Sequence, residues 1–129
     1  MIIHNIKVAH EDDRGSISDI LQQVTVDCVT LITIKKDAIR GNHYHKDSIQ
    51  YSYVLSGEVL AYTQIPDEKV ERAVLKAGDM LESPVMEMHS LHGINDNSVL
   101  LILTKGPRGG GQYEEDTFRV PPLHEDFKD

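Results

Sequence analysis

Residues 43–57 read His43-Tyr44-His45-Lys46-Asp47-Ser48-Ile49-Gln50-Tyr51-Ser52-Tyr53-Val54-Leu55-Ser56-Gly57. Two histidines stand two apart, an amide follows at Gln50, and an apolar run closes on a glycine. Side chains of an extended chain alternate with a period of two, so His43 and His45 face the same way. By the same rule Gln50, Ser52 and Val54 share one face, while Tyr51, Tyr53 and Leu55 share the other. Further out, a third histidine, His89, follows Gly78 and Pro84. Imidazoles on one face, with an amide and a distant third imidazole, suit a metal site or an acid–base site, and the residues alone leave both open.

Short β-type runs surround this stretch. Residues 2–8 are predicted as a first strand and 11–15 as a polar turn, while 16–22 alternate only loosely. Residues 24–34, rich in Val, Thr and Ile, predict a strand broken near Asp27. Residues 50–55 and 58–64 flank Ser56-Gly57 as a hairpin, and 70–75 and 80–83 flank the turn Lys76-Ala77-Gly78-Asp79. Residues 98–104 are strongly β, and 113–120 predict a last short strand ahead of Pro121-Pro122. The residues beyond it are expected to be frayed or packed on the surface. No amphipathic helix of ten or more residues stands out. The fold class is therefore all-β, a sandwich or barrel.

The 129 residues are enough for one domain with a real core, and a single domain over 1–129 is expected. The net charge of -8 argues against nucleic-acid binding, which needs a basic face, and gives no support to an anionic membrane. It leaves room for an anionic small ligand, because arginines such as Arg14, Arg40 and Arg108 offer planar forks that suit phosphate or carboxylate. The one cysteine, Cys28, permits no disulfide within the chain and reads as a small core residue, which fits a cytoplasmic setting. There is no signal-peptide pattern, and no run approaches the roughly 18 apolar residues of a membrane helix. From Lys105 a C-terminal extension, 105–129, changes character. Its Gly106-Pro107-Arg108-Gly109-Gly110-Gly111 cannot hold a regular element, and it lacks the Lys-Ser/Thr of a phosphate loop. Glu114-Glu115-Asp116 reads as a solvated edge guarding a terminal strand.

These spacings resemble the cupins. That superfamily carries a first motif, G-x5-H-x-H-x3,4-E-x6-G, and a second, G-x5-P-x-G-x2-H-x3-N. Here His43, His45 and Gly57 fall in register for the first motif, over about 37–57, with Gln50 at the glutamate position. Gly78, Pro84 and His89 fall in register for the second, over about 78–95. Asp37 stands at the first glycine, Met86 at the second motif's middle glycine, and Gly93 at its asparagine, with Asn95 two residues on. The resemblance implies a double-stranded β-helix, a jelly-roll-like barrel. A narrower likeness lies in Asp12-Asp13-Arg14-Gly15 and Arg40-Gly41-Asn42-His43, which resemble the D-x-R-G and R-G-x-H of cupin nucleotide-deoxysugar epimerases and ketoisomerases.

Each likeness implies a chemistry. As a cupin, the chain holds a divalent ion (Mn, Fe, Ni or Zn) on His43, His45 and His89, with Gln50 as a fourth ligand or as a hydrogen-bonding neighbour of the ligands. A neutral Gln50 leaves the full +2 charge uncompensated, which weakens affinity and strengthens Lewis acidity toward an anionic substrate. As a deoxysugar enzyme, the chain needs no metal. His43 or His45 is then the base on a carbon beside a ketone, and a tyrosine supplies the proton. Tyr62, on the partner strand of the hairpin, is the candidate acid, whereas Tyr51 and Tyr53 read as packing residues and His92 faces elsewhere. The expected function is a metal-binding barrel for a small polar ligand, a sugar or sugar nucleotide, with isomerase or epimerase activity. A metal-dependent dioxygenase and a non-catalytic sensor barrel are the alternatives. Strand addition at Met1-Ile2-Ile3 predicts a homodimer.

Overall fold

β-Branched and aromatic runs become strands here because alternation sends every second side chain into one shared interior. In the computed structural model, which describes residues 1–129, the strands are β1 (Ile2–Asn5), β2 (His10–Asp12), β3 (Gly15–Ile17), β4 (Cys28–Lys35), β5 (Ile39–Tyr44), β6 (Ile49–Ser56), β7 (Glu58–Gln64), β8 (Glu71–Lys76), β9 (Asp79–Ser83), β10 (Met88–Gly93), β11 (Asn97–Lys105) and β12 (Phe118–Arg119). One antiparallel sheet has the order β1-β9-β6-β11-β4 and the other β12-β5-β10-β7-β8, while β2 and β3 pair as a separate hairpin. The inner faces of the two large sheets meet on Ile34, Val54, Leu75, Leu81, Leu100 and Ile102, none more than 2% exposed. This is the jelly-roll barrel that the cupin resemblance implies. The chain turns at Gly57 (φ 82°) and Gly78 (φ 95°), but neither turn closes the expected hairpin: β6 and β9 pair in one sheet and β7 and β8 in the other, so each glycine carries the chain across the barrel between sheets.

Both outer faces are partly covered. Tyr51, Met80 and Leu103 pack under Ile20, Leu21 and Val24 on the first sheet, while Leu123, 2% exposed, packs with Tyr62 and Val70 on the second. The last residues are therefore docked through a 3₁₀ turn, Leu123–Glu125, rather than frayed. No helix is long and apolar enough to cross a membrane.

The structure departs from the sequence reading in three further places. The predicted strand over 113–120 is a single helical turn, α1 (Gln112–Glu115), followed by the two-residue β12. Asp116 is 4% exposed rather than a solvated edge, because its carboxylate bonds backward onto residues 46–48. Cys28 is only half-buried, since it opens β4 at the end of the strand, with its Sγ 3.6 Å from Thr30 Oγ1.

The family's missing glycines leave their mark on the backbone. Asp37 (φ 65°) and Met86 (φ 71°) keep the left-handed conformation that glycine adopts without cost. At Gly93 the opposite holds, because a Cβ there would lie 2.1 Å from Lys35 O, so an asparagine cannot fit against β4. Met86→Gly is expected to stabilise the fold by up to about 1 kcal/mol, since Met86 is 42% exposed and loses little packing. Gly93→Ala is expected to destabilise it by about 1–3 kcal/mol. Gly109→Ala, which meets nothing within 4 Å, stays within about 0.5 kcal/mol of the parent. Urea unfolding midpoints of the three variants check this order.

Candidate functional site

The site begins with a fault in β5. Arg40 lies opposite Leu91 and Gly41 opposite Ser90, but His43 lies opposite His89, so Asn42 is one residue too many. Asn42 takes φ 59° and forms a β-bulge. In a regular strand Arg40 and His43, three apart, point to opposite faces; the bulge turns both into the barrel. Gly41 permits this, because a Cβ there would stand 2.7 Å from His89 O. The bulge is pinned from outside by Val120 N donating to Asn42 O at 2.9 Å and Leu123 N donating to Asn42 Oδ1 at 3.0 Å.

Three imidazoles then meet. The ring centroids of His43 and His45 are 4.9 Å apart, those of His43 and His89 4.7 Å, and those of His45 and His89 5.4 Å. One nitrogen from each lies within 4.8 Å of the others, and the three residues are 8%, 3% and 5% exposed. His45 Nδ1 faces Asp116 O at 2.8 Å, while His45 Nε2 and His89 Nδ1 are buried without a partner. Burial, then the neighbouring His45, then Arg119 and Arg108, push His43 down to about 4 against the opposing Glu114. Burial, then His43 and His45, push His89 down to about 3, although a backbone hydrogen bond at Glu87 works the other way. Both rings are neutral at pH 7 and offer lone pairs, as metal coordination requires.

Two of these rings stand at a cavity of about 250 Å³. His43, His89 and Gln50 line it, with Ile32, Leu91 and Ile102 as its apolar wall. Gln50 is 8% exposed. Arg40, Arg108, Arg119 and Tyr113 line it as well. The Arg108 guanidinium lies 3.9 Å from the Tyr113 ring centroid, a cation–π contact, and that ring is 6.1 Å from His43 and 5.8 Å from His45. Burial would raise the Asp116 carboxyl, but the N–H groups of Lys46 and Asp47 and the Ser48 hydroxyl outweigh it and hold the group below the usual carboxylate range.

Of the residues singled out in the sequence, His43, His45, Gln50, His89, Arg40 and Arg108 are thus brought together. Tyr62 is not. It lies opposite Ser90 on the outer face of β7, where its ring meets His92 at 4.9 Å and Phe127 at 6.0 Å. Arg14 is also apart, in the β2–β3 hairpin, with its side chain 84% exposed and paired to Asp12 at 2.7 Å. Sequence reasoning missed Tyr113, Arg119 and the role of Asp116. All three belong to the C-terminal segment that returns over β5, and only the glycine run 109–111, which lets a chain reverse, hinted at that return.

Residues 10–107 match the family model described as polysaccharide biosynthesis C-terminal domain. No curated protein matches the chain. Among solved structures, a double mutant of the QdtA 3,4-ketoisomerase from Thermoanaerobacterium thermosaccharolyticum, in complex with TDP, is 26% identical, with a TM-score of 0.76 over 92% of this chain and 86% of that one. The dTDP-6-deoxy-D-glucose-3,5-epimerase RmlC from Legionella pneumophila is 15% identical, with a TM-score of 0.78 over 96% of this chain and 74% of that one. The capsular polysaccharide assembling protein CapF from Staphylococcus aureus is 20% identical, with a TM-score of 0.67 over 91% of this chain but only 34% of that one.

The depressed histidines carry a pH signature. An unfolded histidine titrates near 6.5, whereas folded His43 and His89 titrate near 4 and 3. Between those values the unfolded chain binds more protons, so stability falls as pH falls through that window and is fully present above about 6.5. In metal-free protein the urea midpoint is expected to drop from pH 7 to pH 4, and His89→Gln is expected to flatten that drop. Parallel profiles for the two proteins would contradict the burial of neutral His89.

Proposed function

Because the chain belongs to the family of polysaccharide biosynthesis C-terminal domains, we propose that it is an isomerase or epimerase of a nucleotide-activated keto-sugar. The observation that carries this reading is a buried three-histidine cluster, two of whose rings, His43 and His89, line a cavity rimmed by Arg40, Arg108 and Arg119. The three guanidinium groups concentrate positive charge at one mouth of a protein whose net charge is -8. That suits a diphosphate, which planar forks grip in pairs of hydrogen bonds. The sugar then lies toward the histidines. The reaction removes a proton from the carbon beside a ketone, leaving an enediolate, and returns a proton to that carbon or its neighbour, so no oxidant or reductant is consumed. Tyr113 is the one phenol lining the cavity and is the group to hand a proton to the enediolate.

In this reading His43, His45 and His89 hold a divalent ion (Mn, Fe, Ni or Zn), with Gln50 offering an amide oxygen beside them. The residues fit such an ion, since two of the buried ring nitrogens lack any partner and His43 and His89 are held neutral. A bound divalent ion supplies Lewis acidity toward a carbonyl oxygen. A metal-free reading is favoured by one observation: neutral His43 lines the cavity, and its lone pair can take the carbon-bound proton directly. β1 pairs only with β9 at the edge of its sheet, which supports a homodimer by strand addition.

Protein purified without a histidine tag is expected to carry a divalent ion, and His89→Ala to lose it. Absence of any ion, together with no rise in Tm on adding Mn, Fe, Ni or Zn, leaves the metal-free reading in its place. Incubation in D₂O with TDP-, UDP- and GDP-linked 4-keto-6-deoxy sugars is expected to give deuterium exchange beside the ketone with at least one of them. Tyr113→Phe is expected to slow that exchange by roughly 10²–10⁴-fold. No exchange with any of the three would sink the isomerase reading.

A further inference from the structure

We propose that Asp116 is the positioning residue of the histidine cluster: it clamps residues 46–48 with its carboxylate and, so fixed, uses its own carbonyl to set which nitrogen of His45 carries the proton. The side chain is held from the β5–β6 turn. Asp116 Oδ1 accepts Lys46 N at 2.9 Å and Asp47 N at 3.1 Å, and Oδ2 lies 2.9 Å from Ser48 Oγ. The backbone is held from behind, since Asp116 N donates to Gln112 O and Tyr113 O at the end of α1. Between these two grips Asp116 O stands 2.8 Å from His45 Nδ1.

A carbonyl oxygen can only accept, and a neutral imidazole has one donor and one acceptor nitrogen. His45 therefore carries a proton on Nδ1, and the lone pair of its neutral form sits on Nε2. That nitrogen is buried and has no partner, and His45 belongs to the cluster with His43 and His89. The opposite tautomer would set two lone pairs against each other at Asp116 O and aim an N–H at the cluster. The device reaches His45 across 71 residues of sequence.

The consequence is a link between segments. The chain that carries Asp116 also carries Tyr113 and Arg108, both on the cavity wall. Its near end is tied down as well, with Gly106 N donating to Asp27 Oδ2 at 2.7 Å and the Ser48 hydroxyl within 2.8 Å of Pro107 O. Ser48 has one proton to share between Pro107 O and Asp116 Oδ2, so a single side chain touches both ends of the segment. Seating residues 106–117 and directing the His45 lone pair are then one event.

The proposal rests on reading His45 as a working member of the site. Its test needs neither metal nor substrate, so the isomerase reading can fail while the tautomer of His45 is still decided. Long-range ¹H–¹⁵N spectra of metal-free, full-length protein at pH 7.5 distinguish the tautomers of each ring. Wild-type His45 is expected as Nδ1–H. Asp116→Ala is expected to shift His45 toward Nε2–H by about fivefold or more, the worth of one hydrogen bond. Asp116→Asn, which keeps an oxygen for the two amides, is expected to hold His45 closer to wild type. If Asp116→Ala does not fold, Asp116→Ser, too short to hold all three donors, is read in the same way. His45 as Nε2–H in the wild type, or an unchanged His45 spectrum in the Ala or Ser variant, overturns the proposal.

Discussion

Three imidazoles pressed within 4.8 Å of one another inside a barrel cannot share that space while charged. Burial and mutual repulsion drive His43 and His89 well below the pH of a cell, and the surrounding structure is arranged around neutral rings. Imidazoles so enclosed need acceptors for their N–H groups and partners for their lone pairs. Asp116 O meets the first need at His45, and the unpartnered nitrogens express the second. Positive charge is kept to the cavity rim on Arg40, Arg108 and Arg119. An apolar wall beneath and a cationic rim above make a compartment suited to a ligand with an anionic end and a neutral, reactive end.

The barrel meets this constraint through irregularities more than through its regular ladder. The bulge at Asn42 reverses the facing of β5 between Arg40 and His43, so that one short strand supplies both an anion-binding group and a cluster histidine. The left-handed backbone at Asp37 and Met86 keeps turns that the wider superfamily makes with glycine. Met86 N donates to His45 O at 2.7 Å, so the strained turn before β10 buttresses the chain just past β5. Local strain of this kind, on the order of 1–3 kcal/mol per residue, persists where surrounding contacts over-determine it.

The C-terminal segment completes the site. Without residues 106–119 the cavity would lose Arg108, Tyr113 and Arg119, and His45 would lose its carbonyl. The segment lies over the barrel through few regular hydrogen bonds: β12 pairs only Phe118 with Tyr44 and Arg119 with His43. Its seating depends instead on side chains, with the Phe118 and Tyr44 rings stacked at 5.3 Å, Lys46 over Phe118 at 4.3 Å, and the Asp116 clamp.

Spacing alone made most of the strands, the turns at Gly57 and Gly78 and the His43, His45, Gln50 and His89 set legible, because alternation and motif distance are local properties of an extended chain, whereas the pairing of β6 with β9 and of β7 with β8 across those turns is not. It also separated Gln50 from Tyr51 correctly, since β6 is regular over that stretch. Only the tertiary structure decided what lies outside local period. Tyr62 went to the outer face because the β7 and β10 register sets it opposite Ser90, and the sequence of β7 does not state which strand it pairs with. Arg40 joined His43 because one residue bulges, and Tyr113, Arg119 and Asp116 joined the site because a glycine-rich segment reverses across about seventy residues of sequence. Period is written residue by residue, whereas the meeting of distant segments is settled by whichever packing satisfies the buried groups.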